Sequence, residues 1–178
     1  MPIIPLNFLF CLFFAYEEPI LSPKNIYVMG DSLAQGLSTP IKKYAKDNNI
    51  KFHSRTIVGS TSIQWSKFES LNQDLNNYKP DLIVVSLGTN DMRGDRSPQS
   101  SIEKISNKLI NTGAKVVWLI PPSMPFPDRG IRDFIYQLPK RVNKLKCDDS
   151  ILERSKDKIH FTQKGYSEWA NCIIENNK

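Results

Sequence analysis

The chain has 178 residues, 40% of them hydrophobic and 24% charged, which is enough apolar material for one globular domain and excludes a largely disordered chain. Its formal net charge of +6 is spread along the sequence. The densest basic stretch, residues 140–146, predicts a solvated helix face rather than a nucleic-acid patch, so no nucleic-acid partner is expected.

The first element along the chain is an apolar segment at residues 3–16, followed by Tyr16-Glu17-Glu18-Pro19. At about fourteen residues it is too short to span a bilayer as a helix and has the length of a signal-peptide hydrophobic region. We predict an apolar N-terminal segment and linker at 1–23 before a domain at 24–178, and export to the periplasm or medium without a stable membrane span. A tail packed on a cytoplasmic domain is the alternative, because no Lys or Arg precedes the segment.

From Lys24 onward short apolar runs alternate with longer amphipathic runs, the pattern of a parallel sheet flanked by helices. We predict strands at 26–29, 52–58, 81–87 and 114–120. Between and after them we predict helices at 33–48, 63–78, 102–112 and 131–138. A fifth strand within 142–152 is weakly signalled, and a last helix at 162–174 is capped by Thr162. Pro40 must lie in the first turn of its helix or kink it. The predicted fold is α/β, a three-layer α/β/α sandwich with a mostly parallel, flavodoxin-like sheet.

Ser32, Gly59 and Asn90 each follow one of the first three predicted strands. Because the carboxyl ends of parallel strands share one edge, where open sheets bind ligands, we expect these residues to lie close together. Ser32 also opens a helix, whose free N–H groups favour a developing negative charge. The backbone N–H groups of Ser32 and Gly59 and the Asn90 amide are therefore predicted to form an oxyanion hole.

The chain has only two histidines, His53 and His160, which limits the search for a general base. A serine hydroxyl needs an imidazole to take its proton and a carboxylate to orient that imidazole. Asp157 closely precedes His160, whereas His53 has no carboxylate nearby in sequence and is predicted to be structural. The combination with Ser32 indicates a serine hydrolase, and activity should rise through roughly pH 6 to 8 as His160 loses its proton.

Four short blocks stand in order along the chain: Gly30-Asp31-Ser32-Leu33, Val58-Gly59-Ser60, Gly88-Thr89-Asn90-Asp91 and Asp157-Lys158-Ile159-His160. In this order they resemble the motifs of the SGNH hydrolases, the GDSL-type esterase and lipase family. The resemblance implies that Ser32 attacks an ester carbonyl, that His160 passes its proton to the leaving alcohol, and that Asp157 orients the imidazole. It also implies that Gly59 and Asn90 complete the oxyanion hole.

The resemblance further implies a serine esterase for short acyl, above all acetyl, esters, with O-acetylated carbohydrate as the leading natural substrate. No long insertion could form a lid, so a deeply buried site for long acyl chains is not expected. Acyl transfer by the same residues and a non-catalytic glycan-binding module on the same fold are the alternatives. No cofactor and no metal are implied, and the oligomeric state stays open.

Several of these residues could have a purely structural role instead of a catalytic one. Ser32 alone would be a helix cap and Asn90 a turn residue, and a turn or capping role is the main prediction for Asp31 and Asp91. A core position is predicted for Trp65, Trp118 and Trp169, and a solvated one for Arg93 and Arg96. The stiff loop Pro121-Pro122-Ser123-Met124-Pro125 is predicted to rim the site.

The three cysteines, Cys11, Cys147 and Cys172, have no metal-ligand spacing. A disulfide between Cys147 and Cys172 fits an exported protein, and buried free thiols fit at least as well. The sequence leaves both readings open.

Overall fold

The protein is described by a computed structural model for residues 23–177. The predicted apolar N-terminal segment and Cys11 lie outside these residues. Five strands form one sheet: β1 (Asn25–Gly30), β2 (Lys51–Thr56), β3 (Leu82–Ser86), β4 (Lys115–Leu119) and β5 (Val142–Leu145).

Neighbouring strands all pair in parallel, in the order β2-β1-β3-β4-β5. This is the flavodoxin-like order, so the predicted fold is confirmed, with a wholly parallel sheet. The inner strand β3 reads Leu-Ile-Val-Val-Ser and is buried along its whole length. A continuous apolar run of this kind is typical of a parallel strand that is covered on both faces.

Helices cover both faces of the sheet. Within the described residues they are α1 (Ser32–Asp47), α2 (Ser62–Ser66), α3 (Ser70–Tyr78), α4 (Gln99–Ile110), α5 (Ile131–Tyr136) and α6 (Gln163–Glu175), with a 3-10 helix at Asp91–Arg93. Because successive side chains of a strand point to opposite faces, Tyr27 and Met29 of β1 join the core beneath α2 to α5, whereas Ile26 and Val28 join the core beneath α1 and α6. Two cores on one sheet give the three predicted layers.

The helix predicted at 63–78 is two helices, α2 and α3. Thr61 and Gln64 form a capping box that starts α2, and Lys67 ends it. The indole Nε1 of Trp65 donates to Ser60 Oγ at 2.8 Å, so the first short helix is fixed by its own caps and by a buried side chain. The apolar spacing of a sequence does not reveal such a break, because both helices turn their apolar residues toward the same core.

Pro40 lies in the interior of α1. Of the two positions predicted for it, the one in the first turn of the helix is therefore wrong. A proline lacks the N–H that would bond the carbonyl four residues earlier, and its ring crowds that carbonyl. The residue four positions earlier is Gly36. The buried side of α1, which includes Leu37 and Ile41, continues across the proline.

The predicted helix face at 140–146 is also wrong, because β5 begins at Val142 and forms an edge of the sheet beside β4. Val142 joins the core on one face of the sheet and Leu145 the core on the other face, whereas Asn143 between them is exposed. Lys140, Arg141 and Lys146 are solvated, as predicted. The weakly signalled fifth strand is therefore present, at the start of the predicted interval.

Cys147 and Cys172 form a disulfide, with their Cα atoms 6.1 Å apart. The bond joins the chain after β5 to the last turns of α6. Of the two possibilities that the sequence left open, the structure has the disulfide and not free thiols at these positions. Trp65, Trp118 and Trp169 are buried, as predicted. Among residues 23–177, none of the helices combines the length and apolar character that crossing a membrane requires.

Candidate active site

The site begins where β1 ends and α1 starts. A Cβ on Gly30 would lie 1.9 Å from the carbonyl oxygen of Ser86, and the φ of Gly30 is +146°, so only glycine fits this backbone conformation beside β3. The next residue, Asp31, caps α1 by accepting a hydrogen bond from the Leu33 N–H at 2.9 Å. The capping role predicted for Asp31 is confirmed, and Ser32 becomes the first residue of the helix.

Ser32 lies beside His160, although the two residues are 128 positions apart in the sequence. The Oγ of Ser32 lies 2.9 Å from His160 Nε2, and His160 Nδ1 lies 2.6 Å from Asp157 Oδ2. A carboxylate only accepts hydrogen bonds, so Nδ1 carries the proton of the neutral imidazole and Nε2 is left to accept from the serine hydroxyl. The structure therefore brings together the three side chains that the sequence selected.

Asp157 is held ionised by donors on both carboxylate oxygens. Its Oδ1 accepts hydrogen bonds from Ser155 Oγ at 2.7 Å and from the backbone N–H groups of Ile159 and His160, both at 2.9 Å. The bond to the His160 ring is the largest of several that hold the pKa of Asp157 well below its usual range. Asp157 therefore stays a carboxylate at neutral pH, and the exposure of nearly half of its side chain, 47%, also favours the charged form.

Arg154 holds the turn that carries Asp157 and His160, a role that the sequence analysis missed. One guanidinium nitrogen donates to the carbonyl oxygens of Lys158 and Ile159, at 3.2 and 3.0 Å, and the other donates to Ser123 at 2.6 Å. Residues 154 and 161 also form an isolated antiparallel bridge at the base of the turn. Every residue has a backbone carbonyl, so no residue type in the sequence marks the acceptors of Arg154. Only the folded structure could reveal this role.

The two other residues predicted for an oxyanion hole follow β2 and β3. Gly59 has a φ of +73° and stands in an open turn, with space around the position of a Cβ. The Nδ2 of Asn90 donates to Asp31 Oδ2 at 3.2 Å and to the Ser60 carbonyl at 3.0 Å. For Asn90 to donate to an oxyanion, one of these bonds must be shared or exchanged when substrate arrives.

Asp91 has the predicted turn position, because its backbone begins the 3-10 helix at Asp91–Arg93, but its side chain makes a long-range contact that the prediction did not include. Its buried carboxylate accepts from the Ser62 N–H at 3.0 and 3.1 Å and from the Ser62 hydroxyl at 2.8 Å. These bonds join the loop after β3 to the loop after β2. A short-range pattern could not have indicated a partner so far away in the sequence.

The remaining predicted positions lie around the site or away from it. His53 stacks on Tyr78 with ring centroids 3.7 Å apart, in agreement with a structural role. Arg93 and Arg96 are both exposed, as predicted, and the Arg93 guanidinium lies over the ring of Phe126 at 5.5 Å. Within residues 23–177 no group of three or more His, Cys, Asp or Glu side chains is placed to hold a metal ion.

Comparison with known proteins identifies the class. Residues 28–167 match the family described as the GDSL-like Lipase/Acylhydrolase family. The chain belongs to this family, and the resemblance drawn from its four sequence blocks is confirmed. The members that give the family its name are lipases and acylhydrolases, which are carboxylic ester hydrolases.

Individual relatives agree with that class. An arylesterase of Vibrio mimicus is 27% identical, with 63% of this chain and 63% of the relative covered; the chain thus spans less than two thirds of that protein. The crystal structure of a GDSL-like lipase from Bacteroides thetaiotaomicron has a TM-score of 0.70 at 20% identity, over 86% of this chain and 87% of that one. An acetyl xylan esterase, AlAXEase, has a TM-score of 0.66 at 14% identity, over 85% and 98%. These two structures share the fold.

Proposed function

We propose that this protein is a serine esterase in which Ser32 is the nucleophile, His160 the general base and Asp157 the residue that orients the imidazole. The observation that carries the proposal is the continuous chain of contacts from Ser32 Oγ through both ring nitrogens of His160 to Asp157. In this chain of hydrogen bonds, Ser32 donates to His160 and His160 donates to Asp157, which is the direction required to remove a proton from the serine hydroxyl.

The reaction follows from this geometry. Ser32 Oγ adds to the ester carbonyl while its proton moves to His160 Nε2, and Asp157 stabilises the imidazolium that forms. Collapse of the tetrahedral intermediate expels the alcohol, which takes the proton from Nε2 and leaves an acyl group on Ser32. Water then repeats the sequence, releasing the carboxylic acid and restoring the serine.

The backbone N–H groups of Ser32 and Gly59 and the side-chain amide of Asn90 are proposed as donors to the oxyanion. Ser32 supports this role as the first residue of α1, where helix N–H groups have no intrahelical acceptor. Removing one oxyanion donor typically lowers turnover by about a hundred- to a thousandfold.

For the substrate we propose short acyl esters, above all acetyl esters, on an alcohol such as O-acetylated carbohydrate. The exposed side chains of His160 and Asp157, at 38% and 47%, favour an open site in which a bulky alcohol remains outside while a small acyl group enters. An arylesterase among the relatives and an acetyl xylan esterase among proteins of the same fold are compatible with this choice.

Export stays a proposal, and the Cys147–Cys172 disulfide supports it. Disulfides persist in oxidising compartments such as the periplasm or the medium and are uncommon in the cytosol of mesophiles. Separating cell fractions and sequencing the N-terminus of the mature protein would test it. Recovery of full-length protein only from the cytosol would contradict it.

The test of the activity is hydrolysis of p-nitrophenyl acetate and butyrate by the purified protein and by its Ser32→Ala variant. A Ser97→Ala variant is the matched control, because Ser97 is an exposed serine in a loop. We expect turnover by the parent and by Ser97→Ala, and near-complete loss in Ser32→Ala at an unchanged circular-dichroism spectrum. Equal rates for the parent and Ser32→Ala would refute a serine esterase.

The substrate class needs a separate measurement, the release of acetate from O-acetylated glycans beside the cleavage of long-chain acyl esters. Acetate release that disappears in Ser32→Ala would support the proposed substrate. Efficient cleavage of long-chain esters with no acetate release from any glycan would refute it and leave the esterase assignment intact.

A further inference from the structure

Two consecutive residues after β3 hold the loop that carries Gly59. Asn90 donates to the Ser60 carbonyl at 3.0 Å, and Asp91 accepts both the N–H and the hydroxyl of Ser62. The carboxylate of Asp91 is thus bound to the chain on the far side of Gly59, three residues along. Two of the three proposed oxyanion donors, Gly59 and Asn90, belong to loops that these contacts join.

The loop has a fixed base and an open tip. Ser60 and Ser62 are buried, whereas Val58, beside Gly59, is 65% exposed. Nothing lies within 4 Å of the position that a Gly59 Cβ would occupy. Packing around the glycine therefore does little to fix the direction of its N–H. That direction depends on the turn bond from the Ser60 N–H to the Ile57 carbonyl, at 3.1 Å, and on the contacts that hold the base of the loop.

Asp91 makes three of these contacts, all of them hydrogen bonds from Ser62. Its side chain is buried, with the residue only 4% exposed, and a hydrogen bond to a charged acceptor contributes about twice as much as one between neutral groups. Its backbone also begins the 3-10 helix at Asp91–Arg93, directly after Asn90. A movement of Asp91 would therefore displace both donors relative to each other.

We infer that Asp91 is a positioning residue for the oxyanion hole, which sets the Gly59 N–H against the Asn90 amide by binding Ser62. The inference rests on the proposed esterase function. Oxyanion donors lower the barrier because they are already aimed at the developing charge, and a displacement of about 1 Å in such a site costs on the order of a hundredfold in rate. Asp91 acts through the loop and does not touch the substrate.

The test is the Asp91→Asn variant, which keeps the size of the side chain. An amide has one acceptor oxygen and no charge, so the Ser62 N–H loses one of its two acceptors, and the Ser62 hydroxyl must either share the remaining oxygen or accept from the NH2 group. We expect kcat for p-nitrophenyl acetate to fall about 10- to 100-fold, with KM within about threefold of the parent. Asp95→Asn, the same substitution at an aspartate whose side chain is fully exposed, is the matched control and should retain the parental kcat.

Amide hydrogen exchange of the peptide that covers residues 57–62 gives a readout that does not depend on turnover. We expect exchange of this peptide in Asp91→Asn to accelerate at least about tenfold while peptides of the sheet keep their parental rates. Ser62→Ala keeps the bonds from the Ser62 N–H and loses only the one from the hydroxyl, so its effects on kcat and on exchange should have the same direction and be smaller.

Each outcome has a definite reading. Unchanged exchange in Asp91→Asn would overturn the inference, and so would faster exchange with a parental kcat, because Asp91 would then hold the loop without affecting the reaction. A loss confined to KM would also overturn it. A parent protein that cleaves no ester would instead refute the proposed function, and the exchange measurement would still decide whether Asp91 holds the loop.

Discussion

The disulfide between Cys147 and Cys172 closes the segment of chain that contains both Asp157 and His160. Cys147 follows the edge strand β5, and Cys172 lies in α6. The turn that brings the base and its carboxylate to Ser32 is therefore tied to the sheet at one end and to a packed helix at the other.

Reduction of this disulfide should lower the free energy of unfolding. The bond closes a loop with a sequence separation of 25, for which chain entropy predicts a loss of about 3 to 4 kcal/mol on reduction. Urea denaturation with and without dithiothreitol measures it. The double variant Cys147→Ser/Cys172→Ser keeps Cys11 and should be insensitive to dithiothreitol; an unchanged midpoint for the reduced parent would contradict the prediction.

Arg154→Lys should lower kcat about tenfold. The guanidinium reaches the carbonyls of Ser123, Lys158 and Ile159, and an ammonium group cannot match this planar set of donors. The turn that carries His160 should then lose its fixed orientation. Steady-state kinetics with p-nitrophenyl acetate measure the effect, with the exposed Arg96→Lys as the control; equal kcat values for the two variants would count against the prediction.

The rate should rise with pH through roughly pH 6 to 8, where imidazoles titrate. Asp157 does not contribute to this rise, because its hydrogen bonds hold its pKa well below the usual range. Burial raises the pKa of Asp31 to about 7, so the profile of kcat/KM must also be recorded for Asp31→Asn. If the rise persists in that variant, Asp31 is not its source; a flat profile in the parent would argue against an imidazole base.

Stability should depend on acid pH through Asp74. Arg55 and Tyr27 donate to its carboxylate, and the bond from Arg55 is the first cause that lowers the pKa of Asp74. A carboxylate with a lowered folded pKa stabilises the protein above its unfolded pKa of about 3.9, and this stabilisation is lost as the pH falls through the folded value.

We therefore expect Asp74→Asn to reduce the free energy of unfolding by about 1 to 3 kcal/mol at pH 7, because it removes a charged partner of two donors. The difference from the parent should shrink below about pH 4. Denaturant titrations at pH 7 and pH 3 measure it. The exposed Asp47→Asn is the control, and an equal difference at both pH values would show that the charge is not responsible.

Gly36→Ala should destabilise the protein, against the usual preference for alanine within a helix. A Cβ on Gly36 would lie 2.1 Å from Cζ of the Tyr166 ring, and overpacking of this kind costs about 1 to 3 kcal/mol. Thermal melting of Gly36→Ala, of Tyr166→Ala and of the double variant measures it. The glycine substitution should become neutral or stabilising once Tyr166 is removed; the same loss in both backgrounds would mean that the ring is not the obstacle.

The sequence alone determined the fold class and the residues that meet at the sheet edge. The buried run at β3 and the alternation of apolar runs with amphipathic ones set a parallel sheet, because strands covered on both faces have few polar positions. With two histidines in the chain, the choice of His160 beside Asp157 followed from the chemistry of a serine nucleophile. Ser32, Gly59 and Asn90 then had to share an edge, since parallel strands all end on the same side.

The tertiary structure decided the contacts that hold those residues in place. Asp91 binds Ser62 and Arg154 binds Ser123 across long stretches of chain, and neither pairing leaves a trace in local spacing. The strand at β5 also depended on what this segment packs against. Periodicity records which side of a segment is apolar, whereas the partner of a buried charge is fixed only when distant loops come together in the folded chain.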